Sequence, residues 1–211
     1  MKHSISITII LLALFVLSQG LGLFLVTYDA DPVAVVDNQT NTTSINVTYS
    51  DTALGARPEF ETQTGPLWYL AIGVAIGTFL LLFLMKFKSG KHLWKVWYLL
   101  AVIIALSISF GVFLPKNFAV GIAIVLALVK IYRPHPVVHN LTEIFMYTGI
   151  AFLLIPLFSN VWVASLLLIA ISLYDAYAVW KSKHMVKLAK FTSESNLFAG
   201  LAIPYNTSKT T

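Results

Sequence analysis

Asp175 is the residue best suited to do chemistry in this sequence, and it lies inside a long apolar run over residues 161–180. It is the only acidic residue within any segment apolar enough to be predicted as a membrane span. A carboxylate in hydrocarbon costs at least ~2.5–3.5 kcal/mol, so such a residue is a functional hypothesis by default. The alternative is a tolerated Asp near a helix end whose carboxylate reaches toward the lipid headgroups.

The neighbours of Asp175 define its expected surroundings. Helical periodicity places Ser172 and Asp175 on one face. Ser172 could donate a hydrogen bond to the Asp175 carboxylate or to a carbonyl of its own helix. Tyr174 precedes Asp175, and small residues follow it, which leaves room for another helix or a peptide to approach closely. A basic run over 181–190 fixes this end of the helix at a membrane interface, so Asp175 is expected away from the bilayer centre.

The composition indicates a multi-pass membrane protein. Of the 211 residues 58% are hydrophobic and 11% are charged, against roughly 25% charged residues in an average soluble domain. A transmembrane helix needs ~17–25 residues, and two of the apolar runs are shorter and require flanking residues or local bilayer thinning. We predict an all-α membrane protein with six transmembrane helices, built on segments 5–26, 66–85, 93–114, 118–132, 144–158 and 161–180.

The placement of basic residues predicts the orientation. If the N-terminus lies in the cytoplasm and six spans alternate, then of the 14 Lys and Arg residues only Arg57 and Lys116 fall outside. This positive-inside bias predicts an N-in, C-in topology, and the cytoplasmic lysines are expected to contact anionic lipid. The first apolar run could instead be a cleaved signal peptide. Its length exceeds the ~7–15 residues of a usual signal-peptide core, which favours a retained helix.

Four regions follow from these assignments: a first transmembrane helix over 1–26, an acidic outer loop over 27–65, helices two to six over 66–190 and a cytoplasmic tail over 191–211. Within the outer loop, the alternating pattern of residues 44–49 is typical of a short strand. No cofactor and no metal are predicted. The chain has no cysteine, and His135 and His139 lack an evident third ligand.

The segment between the fourth and fifth spans carries local helix signals. The prolines of Arg-Pro-His-Pro (133–136) are expected to end the fourth helix. Asn140 is then predicted as the N-cap of the fifth helix, with Glu143 reaching back to the cap amide as a capping carboxylate.

The run that begins Leu-Tyr-Asp-Ala-Tyr (173–177) and ends in Leu-Ala (188–189) resembles a known signature. It is similar to the sixth helix of the presenilin and signal-peptide-peptidase group of intramembrane aspartyl proteases, above all the archaeal presenilin homologues. His-Asn-Leu-Thr-Glu (139–143) resembles the start of the fifth helix of that group. The resemblance covers roughly residues 93–205, and it implies the N-terminal six-helix part of a nine-helix fold.

The resemblance implies roles for individual residues. Asp175 would be the first of two catalytic aspartates, with Tyr174 as its motif partner and Ser172 close by. The group places its second aspartate in a Gly-x-Gly-Asp motif on a seventh helix, and this sequence does not contain that motif. The implied protein supplies one catalytic aspartate and is inactive without a C-terminal half. Its implied partners are transmembrane-helix peptide substrates, the lipid bilayer and that C-terminal half, with no nucleic acid.

Two other functions remain open from the sequence. One is a non-catalytic six-helix membrane subunit, or a truncated remnant of such a protease. The other is a small transporter or proton-relay protein that uses Asp175 as its titrating group. A transporter would require further polar residues along the other spans. The sequence offers ordinary helix-packing groups there: Gln19, Thr78, Ser107 and Ser109.

Overall fold

The computed structural model describes residues 5–37, 42–60, 62, 64–87, 90–133, 135–158, 161–181, 183–194, 197 and 199–203. These residues are mostly helical. They form seven α-helices, one antiparallel hairpin and a short 3-10 turn at Ile155–Leu157. In chain order the elements are α1 (Ile5–Asp29), β1 (Ala30–Asp37), β2 (Thr42–Tyr49), α2 (Gly65–Leu84), α3 (Gly90–Gly111), α4 (Lys116–Tyr132), α5 (Pro136–Leu154), α6 (Val161–Trp180) and α7 (His184–Glu194).

Five of these helices are long and apolar enough to cross a membrane: α1, α2, α3, α5 with its 3-10 extension, and α6. The prediction of a largely helical, multi-pass membrane protein is confirmed at that level. The predicted fourth span forms α4, whose 17 residues give a length of about 25 Å. That is shorter than the ~30 Å hydrocarbon core, so the predicted count of six spans stays a prediction.

The fifth helix begins earlier than its apolar run indicates, and the predicted cap is wrong. α5 begins at Pro136, since proline is pre-organised for the first helical position. His135 is the N-cap, and its Nδ1 accepts a hydrogen bond from the Val137 amide at 3.3 Å. Asn140 and Glu143 therefore lie inside the helix, one and two turns from its start, and neither caps it.

Two further elements refine the predicted regions. The strand expected at 44–49 is present as β2, and β1 pairs with it in register from Ala30↔Tyr49 to Asp37↔Thr42, which an all-α description of the chain omits. Helix α7 begins inside the basic run and crosses the predicted boundary between the sixth helix and the tail at 190–191. Its low mean hydropathy hides it from a search for apolar segments.

The chain divides into two compact units. The first contains Met1–Arg57, Val102–Pro156 and Leu201–Thr211, and the second contains Pro58–Ala101 and Leu157–Gly200. In the first unit α5 packs against α1 and α4, and a core of Leu25, Val26, Ile108 and Phe152 lies between the helices. In the second unit α6 contacts α2 and α7.

Arg57 fastens the outer loop to the helices of the first unit. Its guanidinium donates to the carbonyl oxygens of Ser50 at 2.8 Å and Phe152 at 2.9 Å, and it forms an ion pair with Asp29 at 3.5 Å. Burial lowers the pKa of Arg57, and the negative charge of Asp29 opposes that shift. Since an arginine keeps its charge in proteins, the guanidinium remains a cation that ties the hairpin base to the end of α5.

Candidate active site on helix α6

Asp175 lies in the last two turns of α6 and is exposed. No side chain among the described residues forms a hydrogen bond or an ion pair with its carboxylate. Most of α6 is uncovered in the same way, for Leu168 and Leu173 are 65% and 68% exposed. A charged group on a helix with the composition of a membrane span is expensive unless something covers or hydrates it. The structure thus leaves the carboxylate available to a further segment, a substrate or water.

Tyr174 marks the side of α6 that is already packed. Its hydroxyl lies 3.3 Å from Thr78 Oγ1 on α2, and Ala178, one turn further, is fully buried. Because successive helical residues are rotated by about 100°, Asp175 projects to one side of this packed stripe. The Tyr174–Thr78 contact joins α6 to α2 and sets the rotation of α6 that leaves Asp175 uncovered.

Ser172 satisfies its own helix. Its hydroxyl donates to the carbonyl of Leu168 at 2.9 Å, as Ser165 does to Val161 at 2.8 Å. Serines inside helices often bond to the carbonyl four residues earlier. Of the two partners expected for Ser172 from the sequence, the structure contains the backbone carbonyl.

A second carboxylate, absent from the sequence-based site, lies in the first unit. Glu143 on α5 is fully buried, and its Oε1 accepts a hydrogen bond from Lys130 Nζ on α4 at 2.6 Å. Lys130 is also buried, and it donates to Thr142 Oγ1 at 3.0 Å. His139 Nε2 lies 4.0 Å from the same Glu143 oxygen. The expectation that Asp175 is the only acid within a span is therefore wrong, since α5 includes Glu143.

The surroundings of Glu143 indicate structure rather than acid–base chemistry. The Glu143 carboxylate is paired with a buried ammonium group, and removal of either partner of such a pair leaves an uncompensated buried ion. The pair joins α4 to α5 across the proline turn. The sequence contained a usable signal: one lysine inside an apolar run and one glutamate 13 residues later, on two helices that a tight turn brings together.

Asn140 has a role that the sequence did not reveal. Its side-chain amide donates to the carbonyl of Ala202 at 2.7 Å and accepts from the Ala202 amide at 2.8 Å. The backbone that follows α7 is thereby held against α5. Local rules favour asparagine at a helix N-terminus, and only the tertiary fold brings residue 202 within reach.

The described residues contain no group of three or more His, Asp or Glu side chains that could hold a metal ion. His139 lies near Glu143 and Lys130, while His135 caps α5. The two histidines considered from the sequence thus serve different local contacts.

Comparison with known proteins identifies the family. Residues 12–210 match the family described as signal-peptide peptidase, presenilin aspartyl protease. The chain belongs to this family. No curated protein and no solved structure matches the chain.

Family membership confirms the resemblance found on the Tyr-Asp run and extends it over almost the whole chain. Together with five span-length apolar helices, it indicates an integral membrane protein of a signal-peptide-peptidase and presenilin type. The match is a statement about the family as a whole. The individual role of Asp175 stays a prediction that the exposed carboxylate makes testable.

Proposed function

We propose that this chain provides one of the two catalytic aspartates, Asp175, of an intramembrane aspartyl protease that cleaves peptide bonds of transmembrane helices. The observation that carries the proposal is the exposed carboxylate of Asp175, which pairs with no side chain among the described residues, within a run that belongs to the signal-peptide-peptidase and presenilin family. The carboxylate of Glu143, which is buried on α5, is committed to Lys130.

The proposed chemistry requires two carboxylates that share one proton. One takes a proton from the attacking water, while the other donates a hydrogen bond or proton to the scissile carbonyl. Asp175 alone can fill one of these positions. The sequence contains no Gly-x-Gly-Asp motif, so the second aspartate must come from a segment outside these 211 residues. The chain by itself is then inactive.

The exposure of the second unit supports a requirement for further helices. We compare the most apolar 18-residue stretch of each helix. Of these residues, none is buried in α2 and 6% are buried in α6, whereas 39% are buried in α3 and 44% in α5. Lipid can cover apolar side chains, but it cannot stabilise the Asp175 carboxylate beside them. A C-terminal half that carries the second aspartate would cover the same side of α6 and complete the site.

The membrane arrangement proposed for this protease has six spans in the cell membrane, with both ends of the chain in the cytoplasm. Five of these spans are the span-length helices, and the remaining one is α4. Helix α4 can cross if the bilayer thins locally or the helix extends through its flanks. The excess of Lys and Arg in the segments assigned to the inside supports this orientation. Asp175 then lies in the cytoplasmic third of the bilayer, about one turn before Lys181.

A non-catalytic six-helix subunit is the second candidate. It is favoured by the open apolar helices α2 and α6, since a partner-binding subunit needs such a surface whether or not Asp175 takes part in cleavage. In that case α2 and α6 would still bind a partner, but Asp175 would not affect any cleavage. A proton-relay role receives less support, because no described side chain passes a proton to or from Asp175.

The test is reconstitution with a complementary half. The full chain is co-expressed with a C-terminal half of a family member that carries Gly-x-Gly-Asp, and cleavage of a transmembrane peptide is measured in detergent or vesicles. We expect cleavage that requires both halves and that falls to background with Asp175→Asn, which preserves size but cannot supply the carboxylate. Glu194→Gln, which alters another exposed acid of the second unit, is the matched control and should leave cleavage intact.

The outcomes separate the two candidates. Cleavage that survives Asp175→Asn would reject the catalytic assignment. A stable complex of the two halves that cleaves no peptide, while the same C-terminal half is active with an intact family member's N-terminal half, would favour the non-catalytic subunit.

A further inference from the structure

Helix α7 carries a basic surface that the protease chemistry does not use. Between α6 and α7, Lys183 adopts a left-handed backbone with φ of 54°. Such a conformation is uncommon outside glycine and marks a turn. The 11 residues of α7 therefore begin directly beyond the end of a predicted membrane span.

One face of α7 is fixed to the second unit. Phe191 is buried, as is Leu197 just beyond the helix, and the Leu197 amide donates to the Thr192 carbonyl at 3.2 Å. Glu194 Oε2 forms an ion pair with Lys91 Nζ on α3 at 3.1 Å. These contacts hold α7 in place, and its exposed residues are those that the second unit does not cover.

Beside the buried Phe191, the exposed flank of α7 is cationic and has a small apolar component. Lys187 and Lys190 are exposed one turn apart, and Val186 beside them is 56% exposed. Trp180, at the end of α6, is 80% exposed, as expected for an aromatic residue at the membrane–water boundary. We define the basic surface as the exposed lysines of α7 and of the turn before it: Lys181, Lys183, Lys187 and Lys190.

The charge of this surface is largely unbalanced. Among the described residues of α7 and the α6–α7 turn, Glu194 is the only acid, and Lys91 already pairs with it. A cluster of lysines next to the cytoplasmic end of a transmembrane helix attracts anionic phospholipids. Val186 and Trp180 add the apolar contacts of an interfacial segment.

We infer that the basic surface is a binding site for anionic phospholipid headgroups. These headgroups hold α7 against the membrane surface immediately after α6, the helix that carries Asp175. The phosphate of the lipid would lie among Lys183, Lys187 and Lys190, with Val186 directed toward the acyl-chain boundary. This site acts whether or not Asp175 is catalytic, so it stands apart from the protease proposal.

The experiment uses the full chain in nanodiscs and takes advantage of its lack of cysteine. A Val186→Cys variant carries one environment-sensitive fluorophore, and the probe reports on titration of phosphatidylglycerol into phosphatidylcholine discs. We expect quenching by neutral acrylamide to fall as anionic lipid is added, and the effect to weaken at high salt. Each lysine near the surface is expected to contribute about fivefold to the lipid affinity.

Matched variants decide the inference. On the Val186→Cys background, Lys190→Gln should weaken the apparent affinity about fivefold and Lys187→Gln with Lys190→Gln about 25-fold, whereas Lys187→Arg with Lys190→Arg should retain it. Lys116→Gln, an exposed lysine of the first unit, should leave it unchanged. The inference would be overturned if the double Gln variant kept the lipid affinity of the Val186→Cys parent, or if Lys116→Gln lost as much affinity as the double Gln variant. It would also be overturned if inorganic phosphate in neutral discs protected the probe as well as anionic lipid does.

Discussion

Glu143 on α5 and Asp175 on α6, two of the carboxylates within the span-length helices, lie in opposite surroundings. Glu143 in the first unit is fully buried and held by Lys130 at 2.6 Å, on the helix α5 against which both α1 and α4 pack. Asp175 in the second unit is exposed on a helix that is almost entirely uncovered. Both carboxylates have the same intrinsic chemistry. An acidic residue within a span therefore has a structural role where a neighbouring helix supplies its counter-ion, as for Glu143. It is a candidate reactive group where its carboxylate is exposed, as for Asp175.

The strongest way to break this comparison is to remove the carboxylate of Glu143. Glu143→Ala leaves the Lys130 ammonium group buried without its counter-ion, which typically costs about 3–5 kcal/mol. Unfolding of the purified chain by sodium dodecyl sulfate in mixed micelles should show a loss of that size. The double variant Lys130→Met with Glu143→Leu removes both charges, and it should recover most of the stability or exceed the parent. If the double variant is as unstable as Glu143→Ala alone, the ion pair is not the cause.

Helix packing gives the next largest effect. Gly149 on α5 has the backbone of α3 against it, and an added Cβ would overlap the carbonyl oxygen of Ala105. Gly149→Ala should therefore destabilise the chain by roughly 1–3 kcal/mol, the usual cost of overpacking. Gly73 on α2 has nothing within 4 Å of an added Cβ. Gly73→Ala should be neutral or stabilising by up to ~1 kcal/mol, since alanine is the better helix former.

The pair of glycine variants sharpens the contrast between the two units. It compares one substitution in a packed helix and in an open helix, measured in the same micelle assay. Equal destabilisation by both would mean that α2 is covered as closely as α5, and the account of an open second unit would fail.

The smallest expected effect belongs to the exposed ion pair of Lys91 and Glu194. Their side chains are 48% and 49% exposed, and exposed pairs contribute about 0.2–1 kcal/mol. Lys91→Gln should shift the unfolding midpoint slightly, and the shift should disappear at high salt because the pair is then screened. A loss as large as that of Glu143→Ala would contradict the distinction between buried and exposed pairs.

Much of the helical architecture could be predicted from hydropathy. A membrane span must be a long apolar run, and such a run can be recognised from consecutive residues of the sequence. The limits of α5 could not, since His135 and Pro136 start the helix before its apolar residues begin. Helix α7 could not be predicted either, because it is short and amphipathic. Its stability depends on the burial of Phe191 against the rest of the unit.

The candidate site shows the same limit. Asp175 could be selected from one sequence because its cost in a span and its Tyr-Asp context are local properties. The partners of Lys130, Asn140 and Arg57 could not, because each lies on a different element that only the tertiary fold brings close. The local pattern of Asn140 and Glu143 predicts a capping role for Glu143. In the structure Glu143 instead pairs with Lys130 on the neighbouring helix.

The most direct test of the account applies one measurement to both carboxylates in the chain complemented with a Gly-x-Gly-Asp half: cleavage of a transmembrane peptide, recorded beside the unfolding midpoint. Asp175→Asn should abolish cleavage, a loss of at least the ~10²–10⁴-fold that acid–base groups provide. It should leave the unfolding midpoint of the uncomplemented chain unchanged, because no described side chain pairs with its carboxylate. Lys130→Met with Glu143→Leu should retain cleavage. Cleavage by the Asp175→Asn protein, or its loss in a stably folded Lys130→Met and Glu143→Leu protein, would contradict the assignment of chemistry to α6 and structure to α5.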